Sequence, residues 1–250
     1  EIEHLDGHLF LELVEEFVDQ EELQNGIHLS STDGAEATVI RGAASDASDA
    51  VNGCGEGAVR GVFLCIGATL RGFTVTGGHT LYGAESTATV NDYGGAVAGY
   101  AGTQATDGEF FGLVENCVIS NNVAARGCSQ YGTYRNCRFA GNANSRNKMG
   151  FALSRARAEG CYFEGNGEPG KHSTVYCCEV VNCTIRGGQA GDATGGNGVV
   201  FNEGNYVSAR KLANSVVEAD KIGVRLVERC LYGENTANAA SGASETDVAA

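Results

Sequence analysis

Apolar and polar positions in this chain follow one short phrase, which comes round seven times. An apolar residue is followed three later by Cys or a stand-in, two later again by an apolar residue, and by Asn, Gly or Asp five after the Cys position. The copies are Leu70-Phe73-Val75-Gly78, Val114-Cys117-Ile119-Asn122, Tyr134-Cys137-Phe139-Asn142, Ala158-Cys161-Phe163-Asn166, Val180-Cys183-Ile185-Gly188, Leu212-Ser215-Val217-Asp220 and Val227-Cys230-Tyr232-Asn235. Around the Cys position the alternation has period two, the mark of a half-buried strand. Between the first apolar residue and the Cys the separation is odd, so one straight strand would put them on opposite faces, and the chain must bend. Gly72, Asn116, Asn136, Gly160, Asn182, Asn214 and Arg229 stand just before the Cys position. Gly and Asn enter the left-handed backbone region at least cost. Each copy therefore predicts a short strand, a one-residue corner, a second short strand and a Gly/Asn turn such as Gly141-Asn142 or Gly165-Asn166.

Successive Cys-position residues are separated by 44, 20, 24, 22, 32 and 15 residues, a repeat of about 22 residues, the length of a solenoid unit. The first gap is two units long and predicts a half-hidden copy near residues 93–100; the last two gaps split two units unevenly around Ser215. Such units stack with parallel pairing at about 4.8 Å. Stacking also predicts charge columns, because equivalent outward residues of neighbouring copies then lie side by side. Glu115, Arg135 and Glu159 alternate in sign two before the Cys position, and Glu164, Arg186 and Glu218 do so three after it.

The Asn-Cys-x-Ile/Phe-x-x-Asn repeats, following Gly-Ala-Thr-Leu-Arg-Gly-Phe-Thr-Val-Thr-Gly-Gly at 67–78, resemble right-handed parallel β-helix proteins of the pectin-lyase-like superfamily. The closest likeness is to repeat-rich bacterial surface and secreted proteins of the polymorphic-outer-membrane and autotransporter-passenger kind. Gly34-Ala35-Glu36-Ala37-Thr38-Val39-Ile40-Arg41-Gly42 is similar to their early rung. The likeness implies an all-β chain: a single right-handed parallel β-helix, a solenoid of about eight or nine rungs, over residues 26–236. An N-terminal cap or first rung would fill 1–25, and a flexible tail or linker 237–250. It also implies a secreted or bacterial cell-surface location within a larger multidomain protein. It does not fix an activity, since that scaffold carries lyases, hydrolases, adhesins and inert stalks alike.

Composition narrows the partners. The net charge of −14 disfavours nucleic acid and anionic membrane. No apolar run reaches the ~18 residues of a bilayer span, and the first residues, Glu1-Ile2-Glu3-His4, carry no basic leader. The chain reads as a mature or excised segment of an exported protein. Of ten cysteines, Cys65, Cys117, Cys137, Cys161, Cys183 and Cys230 fall at or near inward positions. A file of buried thiols, disulfides between neighbours and a metal site are the three readings of that pattern. Cys177-Cys178 is a vicinal pair with no His at zinc-site spacing, so no metal is assigned.

Residues 9–18 place Leu9, Phe10, Leu13, Val14 and Phe17 on one helical face, as a short capping helix would, and read equally as one or two early strands. Two stretches, 79–111 and 187–210, exceed the repeat length and predict loops walling a groove over a face that bears Arg135, Arg138, Glu159, Tyr162 and Glu164. If the chain is catalytic, Glu159, Glu164 and Arg135 are the candidates, and Arg138, Tyr162 and Arg186 the ligand contacts. A lyase would add calcium; otherwise no cofactor is expected. Glycosidases need two carboxylates about 5–9.5 Å apart, yet the Asp residues are scattered, and Lys148, Lys171, Lys211 and Lys221 stand beside no acidic cluster. His4 and His8, one helical turn apart, lack a third ligand, and His79 and His172 sit in turns. The weight falls on a non-catalytic surface, adhesin-like or spacer module contacting glycans or a host or cell-surface protein. A polysaccharide lyase or glycoside hydrolase on the same scaffold is the alternative.

Overall fold

The computed structural model describes residues 27–81, 92–99, 112–148, 152–167, 174–176, 178–186, 199–200, 211–217, 226–232 and 244–246. The regular elements among them are all short strands, arranged in parallel sheets of nine, eight, six and two strands. The first sheet runs His28–Ser30, Ala68–Arg71, Gly112–Glu115, Thr133–Arg135, Arg157–Glu159, Glu179–Val181, Lys211–Ala213, Leu226–Glu228 and Ser244–Thr246. The second runs Val39–Arg41, Thr74–Thr76, Val118–Ser120, Arg138–Ala140, Tyr162–Glu164, Thr184–Arg186, Val216–Val217 and Leu231–Tyr232. The third holds Val62–Leu64, Val97–Gly99, Ser129–Gln130, Leu153–Ser154, Val175–Tyr176 and Val199–Val200, and Val123–Arg126 pairs with Ala143–Lys148. From the first sheet the chain enters the second, then the third, and returns beside its previous strand. This all-β, parallel arrangement is compatible with a β-solenoid. No helix among the described residues is long and apolar enough to cross a membrane.

The corners lie where the sequence places them. Gly72, Asn116, Asn136, Gly160, Asn182, Asn214 and Arg229 all have positive φ, between 48° and 76°. That single left-handed residue redirects the chain from first sheet to second, so the apolar residue before it and the Cys after it both face inward: Val114 and Cys117 are buried, as are Tyr134 and Cys137. A second left-handed residue, at Gly77, Asn121, Gly141 and Gly165, turns the chain out of the second sheet.

Register puts equivalent residues on one another. Leu70, Val114, Tyr134, Ala158, Val180, Leu212 and Val227 are successive partners in the first sheet. In the second, Val75, Ile119, Phe139, Phe163 and Ile185 follow one another, and Phe139 and Phe163 stack at 4.6 Å with rings 6° apart. Leu212 lies between Val180 and Val227, so the Ser215 copy takes its place despite its uneven spacing. The first gap differs from expectation. Leu70 pairs directly with Val114, which leaves no intervening strand in the first sheet. The stretch read as a hidden copy supplies Val97–Gly99 to the third sheet instead. Its Gly- and Ala-rich sequence has no corner–Cys pair to hold a place in the first two sheets, and Ala96, Val97 and Ala98 are all buried.

Two polar files run inside. Cys117, Cys137, Cys161 and Cys183 are buried, unbridged thiols at equivalent corners. Cys137 Sγ lies 3.3 Å from its own strand's Arg135 carbonyl and 3.4 Å from Val114 O on the neighbouring strand. Ser215 continues the file, its Oγ accepting from Cys183 N at 3.1 Å and donating to Ala213 O at 2.7 Å. Cys65 is half-buried, beyond the third-sheet strand Val62–Leu64. The second file consists of Asn122, Asn142 and Asn166, all enclosed. Asn142 Oδ1 accepts from Asn122 N and Nδ2, and Asn166 Oδ1 does the same for Asn142. At the end of this file Asn122 Oδ1 accepts from Gly78 N at 2.9 Å. A side chain at Gly78 would collide with the backbone carbonyl of Gly95, so glycine replaces Asn there.

Residues 1–25, where a cap or first rung is expected, lie outside the described residues. So does most of 237–250, of which Ser244–Thr246 pairs in parallel with Leu226–Glu228.

Candidate functional site

The expected site residues occupy outward positions on either side of the corners. Arg135 and Glu159 end strands of the first sheet; Arg138, Tyr162, Glu164 and Arg186 belong to the second. Only the corner residue and the Cys separate Arg135 from Arg138, so the two arginines flank one bend at Asn136. The expected column Glu115–Arg135–Glu159 is in register and is longer than foreseen. Arg71 Nη2 lies 2.5 Å from Glu115 Oε2, Arg135 Nη1 3.9 Å from Glu115 Oε1, and Arg135 Nε 3.0 Å from Glu159 Oε2. Arg157 adds a lateral link, its Nε 2.6 Å from Glu159 Oε1 and its Nη1 3.6 Å from Glu179 Oε2. On the second sheet Arg138 pairs with Glu164, which is also the register partner of Arg186. Glu218 lies outside the described residues.

These neighbours set the protonation of the two candidate carboxylates. Partial burial pushes Glu159 up, but hydrogen bonds and charge from Arg135 and Arg157 outweigh it and hold the carboxyl below its ordinary range. Arg138 holds Glu164 down, with Tyr162 and Arg186 adding to it. Glycoside hydrolysis sets one carboxyl protonated beside one ionised, which requires environments that split their pKa values. Here both environments favour the anion. The chemistry this arrangement performs best is mutual neutralisation of stacked strands.

Most of the two long stretches expected to wall a groove, 79–111 and 187–210, lies outside the described residues, as do His4, His8, His172 and Cys177. His79 Nδ1 is 2.9 Å from Gly77 O, its ring packed beside Gly53. Among the described residues no three His, Cys, Asp or Glu side chains converge on a point where a metal ion could sit. The buried thiols carry their own electrostatics. Desolvation pushes Cys128 up, and burial together with the flanking thiols does the same for Cys137. Cys161 is pulled down by hydrogen bonds from Cys137 and Cys183.

A second cluster, which the repeat phrase does not reveal, sits on the third sheet. Gln130 and Ser154 are register partners, and the residues after them, Tyr131 and Arg155, both have positive φ, 59° and 50°. Arg155 Nη1 donates to Tyr131 Oη at 3.2 Å, and its guanidinium lies 5.9 Å from the centre of the Tyr93 ring. Arg60 Nη2 donates to the Tyr93 carbonyl at 3.3 Å. The only sequence signal for this cluster is the Gln-Tyr and Ser-Arg dipeptides between copies, 24 residues apart.

Comparison with protein-family models, with curated proteins and with solved structures finds no match to this chain.

Proposed function

We propose that the chain is a right-handed parallel β-helix of about eight or nine rungs, of the pectin-lyase-like kind. In this reading it serves as a non-catalytic surface, adhesin-like or spacer module of an exported bacterial protein, secreted or held at the cell surface as part of a larger multidomain chain. Its outer faces meet glycans or a protein partner. One observation carries the reading: the charged side chains best placed for catalysis are engaged with one another. Arg71, Glu115, Arg135, Glu159, Arg157 and Glu179 form a continuous network across the first sheet, and both candidate carboxylates are held ionised. A network of this kind stiffens a rod and presents a regular surface, but supplies no proton donor.

The test is a glycan array probed with and without calcium, with release of reducing ends or unsaturated products followed on the same polysaccharides. Retention of glycan or protein partners without turnover supports the reading. Cleavage that disappears in Glu159→Gln or Glu164→Gln overturns it in favour of a hydrolase or lyase.

A further inference from the structure

The third sheet has an outward column that behaves unlike a solvent-facing one. Val62, Val97, Leu153 and Val175 belong to the inward column and join the core. The alternate column, Ala98, Gln130, Ser154 and Tyr176, points the other way, as successive strand residues do. Outward positions of a half-buried strand are ordinarily wet, yet Gln130 and Ser154 are both 0 % exposed. Gln130 Oε1 and Nε2 and Ser154 Oγ have no hydrogen-bond partner among the described residues. Each such orphan costs about 1–3 kcal/mol, and an apolar residue at 130 would avoid the cost.

The neighbouring backbone is also held in an unfavourable state. Tyr131 and Arg155 occupy the left-handed region, which costs a bulky L-residue about 1–2 kcal/mol and which the chain elsewhere gives mainly to Gly and Asn. Residual strain and unmet polar groups at one place are the signature of a site built for something else. The result is an aromatic and guanidinium frame, Tyr93, Tyr131 and Arg155, beside a buried amide and a buried hydroxyl.

We propose that this patch binds a neutral saccharide unit. The Gln130 carboxamide offers an acceptor and two donors side by side, which matches two adjacent sugar hydroxyls, each able to give and take a hydrogen bond. An anion would leave Oε1 unmet, and a cation would leave Nε2 unmet. Ser154 Oγ takes a third hydroxyl, the half-buried Tyr131 ring offers a flat apolar face to the sugar's C–H bonds, and Arg155, bonded to Tyr131 Oη and lying over the buried Tyr93 ring, holds that face in place. Gln130 is enclosed, so access of the sugar requires the surrounding side chains to move. This inference rests on the glycan-contacting reading above and moves the contact from the Arg138 face to the third sheet.

The experiment titrates the intact chain with cello-, xylo-, manno- and galactotetraose and repeats the titration on Gln130→Met, Ser154→Ala and Arg138→Ala, each checked by thermal melting. The expected result is that Gln130→Met melts no lower than the parent, since it removes an orphan, while affinity falls about tenfold or more, one lost pair of hydrogen bonds. Ser154→Ala, a smaller change that guards against misfolding of the first variant, lowers affinity several-fold, and Arg138→Ala lowers it less than either third-sheet variant. Affinity kept within about twofold in both third-sheet variants overturns the inference; if Arg138→Ala then abolishes binding, the surface-module reading stands with its contact on the other face. Failure of the parent to bind any of the four sugars also overturns the inference and leaves that reading to a protein partner. Cleavage of the sugars overturns the reading itself.

Discussion

Asn142 donates from Nδ2 to Oδ1 of Asn166 at 2.9 Å, while its own Oδ1 accepts from Nδ2 of Asn122 at 3.0 Å. Three buried carboxamides thus form one line across adjacent strands, each also donating to a backbone carbonyl left open by the turn: Val75 O, Ile119 O and Phe139 O in succession. Left-handed turns interrupt the sheet ladder, and these side chains restore what the turns remove.

Asn142, in the middle of the line, is therefore a sensitive polar position among the described residues. Asn142→Ala strands Asn122 N and Ile119 O, and takes one bond each from Asn122 Nδ2, which keeps Val75 O and Ser120 O, and from Asn166 Oδ1, which keeps the backbone N of residue 142. The loss is expected to reach about 3 kcal/mol or more, since each buried donor or acceptor left without a partner costs about 1–3 kcal/mol and several lose their bonds at once. Urea unfolding followed by far-UV circular dichroism measures it; a loss below about 1 kcal/mol would show the file to be dispensable.

Phe139 stacks on Phe163 and tilts against Tyr134 at 5.6 Å. Phe139→Ala opens a cavity in the middle of the inward column and is expected to cost about 3–5 kcal/mol, read from the same unfolding curves.

The corner at Asn136 has φ 52°. Asn136→Gly is expected to leave stability within about 0.5 kcal/mol, whereas Asn136→Val costs about 1–2 kcal/mol or more, because a β-branched residue fits the left-handed region poorly. Equal effects of the two variants would contradict the assigned corner.

The surface network should behave differently. Arg135 keeps 43 % of its side chain exposed, so Arg135→Gln is expected to change stability by less than about 1 kcal/mol, with the difference shrinking in high salt. Glu159, whose pKa is lowered, contributes stability present above the ordinary carboxylate range and lost as pH falls through its folded value. Parent and Arg135→Gln melting temperatures should converge in acid.

Cys128 gives the opposite pH signature. Its thiol is enclosed, close to the Asn122 and Ala143 carbonyls, and burial raises its pKa. The unfolded thiol ionises near the ordinary value of about 8.5, so the contribution is fully present below that pH and is lost as pH rises toward the folded value, by about 1.4 kcal/mol per unit. Cys128→Ala should unfold with a shallower alkaline decline than the parent; identical slopes between about pH 8.5 and 10.5 would refute the assignment.

The first two sheets were legible from the residues because period-two alternation and a Gly or Asn corner recur in nearly every copy. The corner at Arg229, where neither Gly nor Asn stands, was legible only from its place in the phrase. The Asn file was visible as a turn residue; its inward position was not, because Asn at a turn is ordinarily solvated and only the stacking of copies encloses it. The third sheet was hidden: its inward column mixes Val97, Ser129, Leu153 and Val175, residues with no shared chemistry beyond fitting the interior. For the same reason Gln130 and Ser154 carried no signal, whereas Arg135 and Glu159 did through their alternating charge.

Residues equivalent in the repeated phrase lie beside one another in parallel register. Cross-strand nuclear Overhauser effects in the folded protein test it most directly. Contacts are expected that join Arg135 to both Glu115 and Glu159, and Phe139 to both Ile119 and Phe163, in the pattern of parallel strands. Contacts that instead join each copy's two strands to one another as antiparallel hairpins would contradict it.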